Sequence, residues 1–76
     1  MSELIVKFVR GVSEDDARSA ATDAGAKVRR RMRGDHDDEV TLLLACGDDV
    51  SAVKTKLDRR DDVELTEVNE GGYGIL

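Results

Sequence analysis

The chain opens on "ELIVKFV", residues 3–9, in which Leu4, Val6 and Phe8 fall on one side of an extended backbone and Ile5, Lys7 and Val9 on the other. Two-residue alternation with β-branched content predicts a strand. The period then changes. In "VSEDDARSAATDAGAKV" the small apolar residues Ala17, Ala20, Ala21 and Ala24 recur at helical spacing. Ser13 is placed to accept from first-turn amides, and Glu14, Asp15 and Asp16 favour the positive end of a helix, Asp16 at the capping-box spacing. Gly25 supplies the left-handed residue that ends such a helix. "AKVRRRM" reads as a second strand with Val28 and Met32 on one side. The polar "GDHDDE" turns the chain into "VTLLLAC", where Val40, Leu42, Leu44 and Cys46 share a face, so these two strands form a hairpin. "GDDVSAVKTKLDRRDD" restarts the helical period, with Asp48 or Asp49 as cap and Val50, Val53 and Leu57 inward. "VELTEV" supplies a fourth strand.

The order βαββαβ predicts an α+β, ferredoxin-like fold: a four-stranded antiparallel sheet in the order 4-1-3-2, two helices on one face, and a C-terminal tail. Residues 1–70 form the domain and residues 71–76 the tail. The opposite sheet face carries Ile5, Val9, Leu43 and Ala45 in its two central strands, and no element remains to cover it. An apolar patch left on an open sheet marks a partner surface.

Composition narrows the partners. Seventy-six residues suffice for one domain, and a domain of that size buries only about 60% of the surface its unfolded chain exposes. Phe8 and Tyr73 are its only aromatics, so the core is aliphatic and thin. The net charge is −5, with 11 Asp and 6 Glu among the acids, and a field of that sign repels polyanions and anionic bilayers. Neither nucleic acid nor a membrane is expected as partner. The run Arg29, Arg30, Arg31 and Arg33 is read as an edge strand protected by charge from pairing with other chains.

No apolar stretch approaches the ~20 residues that span a bilayer, and the first residues lack a leader pattern. With a single cysteine, the expected location is the cytoplasm, or outside the cell if a leader has been removed. His36, between Asp35 and Asp37, belongs to a polar turn, and Cys46 behaves as a small buried hydrophobe. No Ser-His-Asp order, phosphate loop or zinc spacing stands out. No catalytic residue, metal or cofactor is therefore expected, and the chain is read as a non-enzyme.

The chain ends on "EGGYGIL", an apolar tip after two glycines. Exposed apolar ends gain nothing from water. Two outcomes are open: the tip packs back on its own sheet, or another molecule grips it.

Taken together, "LIVKF", "VSEDDARSAATDAGAKV" and "DDVELTEVNE" resemble the propeptide domain of subtilisin-like serine proteases, the inhibitor I9 family, which includes free-standing inhibitors of about this length. The resemblance implies a ferredoxin-like domain that docks on a subtilisin-like serine protease by its outer sheet face, here Ile5, Val9, Leu43 and Ala45. It implies a tail, Tyr73, Gly74, Ile75 and Leu76, lying product-like in the active-site cleft. Leu76 fills the pocket before the scissile bond, or Ile75 if the tail is one residue longer than usual. Glu67 and Asn69 match positions that cap protease helices, whereas Val68 and Asn69 each stand where the pattern has an acid. The implied role is protease inhibition, with assistance to the protease's folding as an added role, and no catalysis. The free chain is expected to be a monomer, with a weak homodimer as the exception. The alternative function is a ferredoxin-like regulatory or dimerisation module with no protease target.

The thin core carries an expectation of its own: the free domain is marginally stable. Its circular dichroism melt should centre well below about 90 °C, and a sharp transition above that temperature would contradict the reading.

Overall fold

The computed structural model describes residues 2–32, 39–47 and 49–70. Strand β1 (Ser2–Phe8), helix α1 (Glu14–Asp23), strands β2 (Lys27–Met32) and β3 (Thr41–Gly47), helix α2 (Val50–Asp58) and strand β4 (Val63–Glu70) keep the expected order. The strands form one sheet, β2-β3-β1-β4, and all three neighbouring pairs are antiparallel. Read from the other edge this is the expected 4-1-3-2. The fold is ferredoxin-like, and β2 is an edge strand, as its arginine run suggests.

The core lies between the sheet and both helices. Leu4, Val6 and Phe8 of β1 and Leu42 and Leu44 of β3 are fully buried, and Ala17, Ala20 and Ala21 of α1 meet them with Val53 and Leu57 of α2. Each fully buried Leu, Val or Phe contributes about 1.5–3 kcal/mol relative to exposure. Helix α1 lies over β2 and β3, and α2 over β4, β1 and β3. The alanines of α1 let its backbone approach the sheet where larger side chains would hold it off.

Local signals place the helix ends. The Ser13 hydroxyl oxygen accepts from the Asp16 amide at 3.1 Å, leaving one fewer first-turn N–H without a partner. At the other end Gly25 takes φ +94°, while Gly25 N–H donates to Thr22 C=O at 3.0 Å and Ala26 N–H to Ala21 C=O at 3.1 Å. This pair of bonds is a Schellman ending, which a left-handed residue at the glycine position permits. Ala26 then buries itself beside the helix end. For α2 the expected aspartate cap holds only in part. Asp49 is the N-cap residue and its carbonyl accepts from Val53 N–H at 3.1 Å, but its side chain makes no capping bond; Asp48 lies outside the described residues.

Two sequence expectations change on folding. Val28 and Met32 do not share a face: Val28 pairs with the core residue Leu44, but Arg29 is an extra residue without a partner, and Arg30 pairs with Leu43 and Met32 with Thr41. One inserted residue moves the rest of the strand to the other side. Val9 lies one residue past the end of β1, where its N–H donates to Asp62 C=O at 2.9 Å. Residues 33–38, which hold Arg33, His36 and most of the "GDHDDE" turn, lie outside the described residues.

The two faces of the sheet should answer mutation differently. Leu44→Ala should cost about 2–5 kcal/mol through the lost burial and the cavity left behind. For a small domain whose total stability is on the order of 5 kcal/mol, that leaves much of the population unfolded. Leu65→Ala, on the open face, should change stability by less than about 1 kcal/mol. Urea titrations followed by circular dichroism separate the two, and equal costs would contradict the assignment of faces.

Candidate functional site

With both helices on one side, every outward position of the sheet is left without a covering element among the described residues. Cross-strand partners share a face, so the register gives the composition of the open side directly. Three rows run across it. The middle row reads Arg30, Leu43, Ile5, Glu67 from β2 to β4; on one side of it lie Lys27, Ala45, Glu3 and Asn69, and on the other Met32, Thr41, Lys7 and Leu65. The middle row is apolar at its centre and charged with opposite sign at its two ends.

Ile5 and Ala45 are half-buried, Leu43 is only 9% exposed, and Leu65 is 47% exposed. Leu43 is nearly buried although its register puts it on this face, so the apolar surface on offer is mainly Ile5 and Leu65. Leu65 is the large hydrophobic residue left most open to solvent among those described. The alternation Leu65, Glu67, Asn69 in "LTEVN" is its signal in the sequence, and it joins Met32 as a contributor that the β1 and β3 patterns alone do not reveal.

Polar groups frame this surface at both ends. Glu3 accepts from Arg29 Nη1 at 2.7 Å and from Asn69 Nδ2 at 3.3 Å, tying β2, β1 and β4 together. At the opposite end Lys7 lies 3.2 Å from Glu64 and 3.5 Å from Glu39. The hydrogen bond with Glu64 and the nearby carboxylates hold the Lys7 ammonium pKa above its ordinary value. Arg29 and Glu64 are both extra residues at irregularities in the ladder. These two bulges each deliver a charge to the rim of the face, whereas the third, in the β1–β3 ladder, skips the buried Cys46.

The structure gathers some of the residues named from the sequence and separates others. Ile5, Leu43 and Ala45 come together at the centre of the open face, and Val9 lies beyond the end of β1. Glu67 and Asn69 point outward on the β4 edge, Glu67 exposed and Asn69 with its amide nitrogen on Glu3. Val68 pairs with Leu4 and packs against the core. An acid at that position would face the hydrophobic interior. Tyr73, Gly74, Ile75 and Leu76, with Gly71 and Gly72 before them, lie outside the described residues.

Cys46 is 8% exposed and burial pushes its thiol pKa up. That environment disfavours the thiolate and accords with a packing role. No cluster of metal-ligating side chains forms among the described residues.

On the helix side of the sheet a polar clasp secures β4 to α2. Lys54 Nζ donates to Asp58 Oδ2 at 2.8 Å and to Thr66 Oγ1 at 2.9 Å, while Thr66 donates to Asp58 Oδ1 at 2.5 Å. Glu14 plays the corresponding part for α1, accepting from Arg18 at 2.9 Å and from Arg31 of β2 at 3.1 Å. Both edge strands are thereby tied to a helix.

A family model described as the fervidolysin N-terminal prodomain matches residues 2–69. That span takes in all four strands and both helices, and stops at Asn69, before the apolar tip. No curated protein and no solved structure matches the chain significantly.

The clasps make stability sensitive to acid. Hydrogen bonds from Lys54 and Thr66 hold the Asp58 carboxyl below its ordinary range, those from Arg18 and Arg31 lower Glu14, and that from Arg60 lowers Asp62. A carboxyl whose pKa is lower folded than unfolded contributes stability above its unfolded value, about 4, and loses it as pH falls through the lower folded value. Thermal melts should be nearly flat from about pH 7 to 5 and fall steeply below about pH 4. The Glu14→Gln/Asp58→Asn variant should melt lower at neutral pH and decline less steeply in acid. A decline parallel to that of the parent would show that these carboxylates do not carry the effect.

Proposed function

Because the chain belongs to the fervidolysin N-terminal prodomain family, a subtilisin propeptide type of domain, we propose that it is a protein inhibitor of subtilisin-like serine proteases. In this reading it docks by the open sheet face and places its C-terminal tail in the active-site cleft as a product would lie. The family match over residues 2–69 carries the reading. The uncovered centre of the sheet, with Ile5 and Leu65 accessible and polar groups around it, supplies a surface suited to docking, with an apolar middle inside a polar rim.

The tail supplies the second half. An extended segment pairs with the cleft by main-chain hydrogen bonds, and its side chains choose the pockets. Leu76 fills the pocket before the scissile bond and Tyr73 the apolar pocket three residues upstream, with Gly71 and Gly72 as the approach. Docking of the domain holds the tail at a high effective concentration, so a weakly binding peptide becomes a persistent occupant of the site. The same docking stabilises whichever partner is less stable alone, because a ligand that binds only the folded state shifts its folding equilibrium. Assistance to the folding of the protease is a consequence of the contacts that inhibit it.

Steady-state inhibition of a subtilisin, with a chromogenic peptide as reporter, tests the reading. The intact chain should inhibit competitively, and replacing Tyr73 and Leu76 with Gly should weaken inhibition by about 10- to 1,000-fold, the loss of two anchoring side chains. Deleting residues 73–76 should leave the melting temperature unchanged. An intact chain that does not inhibit at about 100 μM, a concentration that would detect even weak complexes, would overturn the proposal. A deletion that lowers the melting temperature substantially would show instead that the tail packs on its own domain.

A further inference from the structure

The middle row of the open face has a property that docking to a protease does not require. Its sequence across the sheet is cation, apolar, apolar, anion: Arg30, Leu43, Ile5 and Glu67. Arg30 and Glu67 are both exposed, and neither forms an ion pair with another described residue. A second copy turned by 180° about an axis parallel to the strands places its own β4 over β2 and its own β1 over β3. Arg30 then meets Glu67 of the second copy twice by symmetry, and Leu43 meets Ile5. The outer rows obey the same rule: Met32 comes over Leu65, and Lys27 over Asn69.

We propose that the free domain associates with a second copy of itself through this sheet face, as a twofold dimer with its axis along the strands, held in register by reciprocal Arg30–Glu67 pairs around Ile5 and Leu43. The other axis that packs the two sheets with strands aligned runs along the row itself. It would bring Arg30 against Arg30 and Glu67 against Glu67, and like charges placed together oppose association. The charge pattern therefore selects one of the two arrangements. Packed sheets are tilted by about 30°, which preserves the central row and offsets the corners. The specificity accordingly rests on the middle row.

Area limits the affinity. Strands about 4.8 Å apart, rising about 3.3 Å per residue, give this four-stranded face an extent on the order of 400 Å². Two such faces fall short of the roughly 1,600 Å² of a stable interface, so the dimer is transient. Its existence does not rest on the protease reading, although a protease docked on the same face would exclude it.

Sedimentation equilibrium on the intact chain, from about 5 μM to about 1 mM, should show a reversible monomer–dimer equilibrium in the range expected for a small interface. Arg30→Glu makes both ends of the row acidic and Glu67→Arg makes both ends basic. Each variant alone should dimerise at least about tenfold more weakly than the parent, while a mixture of the two should form a heterodimer. The double variant Arg30→Glu/Glu67→Arg restores a self-complementary row and should recover the parent's association to within about threefold. Circular dichroism of each variant confirms that the fold is retained, since both positions are exposed. A parent that stays monomeric to about 1 mM, or a dimer indifferent to both charge reversals, would overturn the proposal. Either result leaves the inhibition assay unaffected, so the two readings fail separately.

Discussion

The burial of Leu4, Val6 and Phe8 on one side of β1 governs the arrangement of the sheet. Extended backbone alternates its side chains, so sending those three residues under the helices sends Ile5 and Lys7 to the other face. Strand β1 lies between β3 and β4, and its register therefore fixes the residues its neighbours present as well. A slip of one residue would drive Lys7 into the core and lift Phe8 into water, a penalty far greater than any single contact on the open side. The outer rows inherit their order from that penalty. They are positioned by the core rather than by attractions of their own, and a surface held in this way is already formed before a partner arrives.

Much of this was legible from residues 3–9 and 40–46, where alternation is unbroken, and from the alanine spacing and the Ser13 and Gly25 signals of α1. Those features are local, so neighbouring residues suffice to show them. The bulges were not legible. In "KVRRRM" four of six side chains are cationic, and with so few apolar residues the pattern gives no sign that Arg29 is skipped and that Met32 reverses its face. The Lys54–Asp58–Thr66 clasp was hidden for a different reason, since it depends on how α2 lies along β4. Leu65 could have been recognised from alternation in β4, but its neighbour Glu64 is an extra residue and obscures the period. The character of the "YGIL" tip was visible as an oddity of composition. Its use depends on the shape of another molecule, which no regularity inside this chain encodes.

The two edge strands show how charge can serve the fold and leave a pattern behind. Strand edges tend to pair with other chains, and the side chains of β2 make its edge unattractive for that purpose. Arg29 and Arg31 are also held by Glu3 and Glu14, so two members of the run are engaged within the domain. Arg30 lies between them and turns outward because of the bulge. The same irregularity that ties the edge to α1 through Arg31 therefore presents a cation on the open face. On the opposite edge, Asn69 is engaged by Glu3 while Glu67 stays exposed. Local needs of the two edges are enough to give the face its opposite poles.

Those poles act over a different range from the net charge. At physiological ionic strength a field decays over about 8 Å, so two separated copies, each carrying −5, experience mainly mutual repulsion. On contact, individual positions matter more than the sum, and the rows can be matched or mismatched one pair at a time. Hydrophobic area adds little discrimination here, because Leu43 is almost buried and Ile5 is only half open. A surface with modest apolar area and a strong charge order selects partners by arrangement more than by affinity. Any protein that remains on this face must offer an anion near β2 and a cation near β4, or bring a separate anchor strong enough to override their absence. In the proposed protease complex the tail held in the cleft is such an anchor, and occupancy of the face and occupancy of the cleft then belong to one binding event.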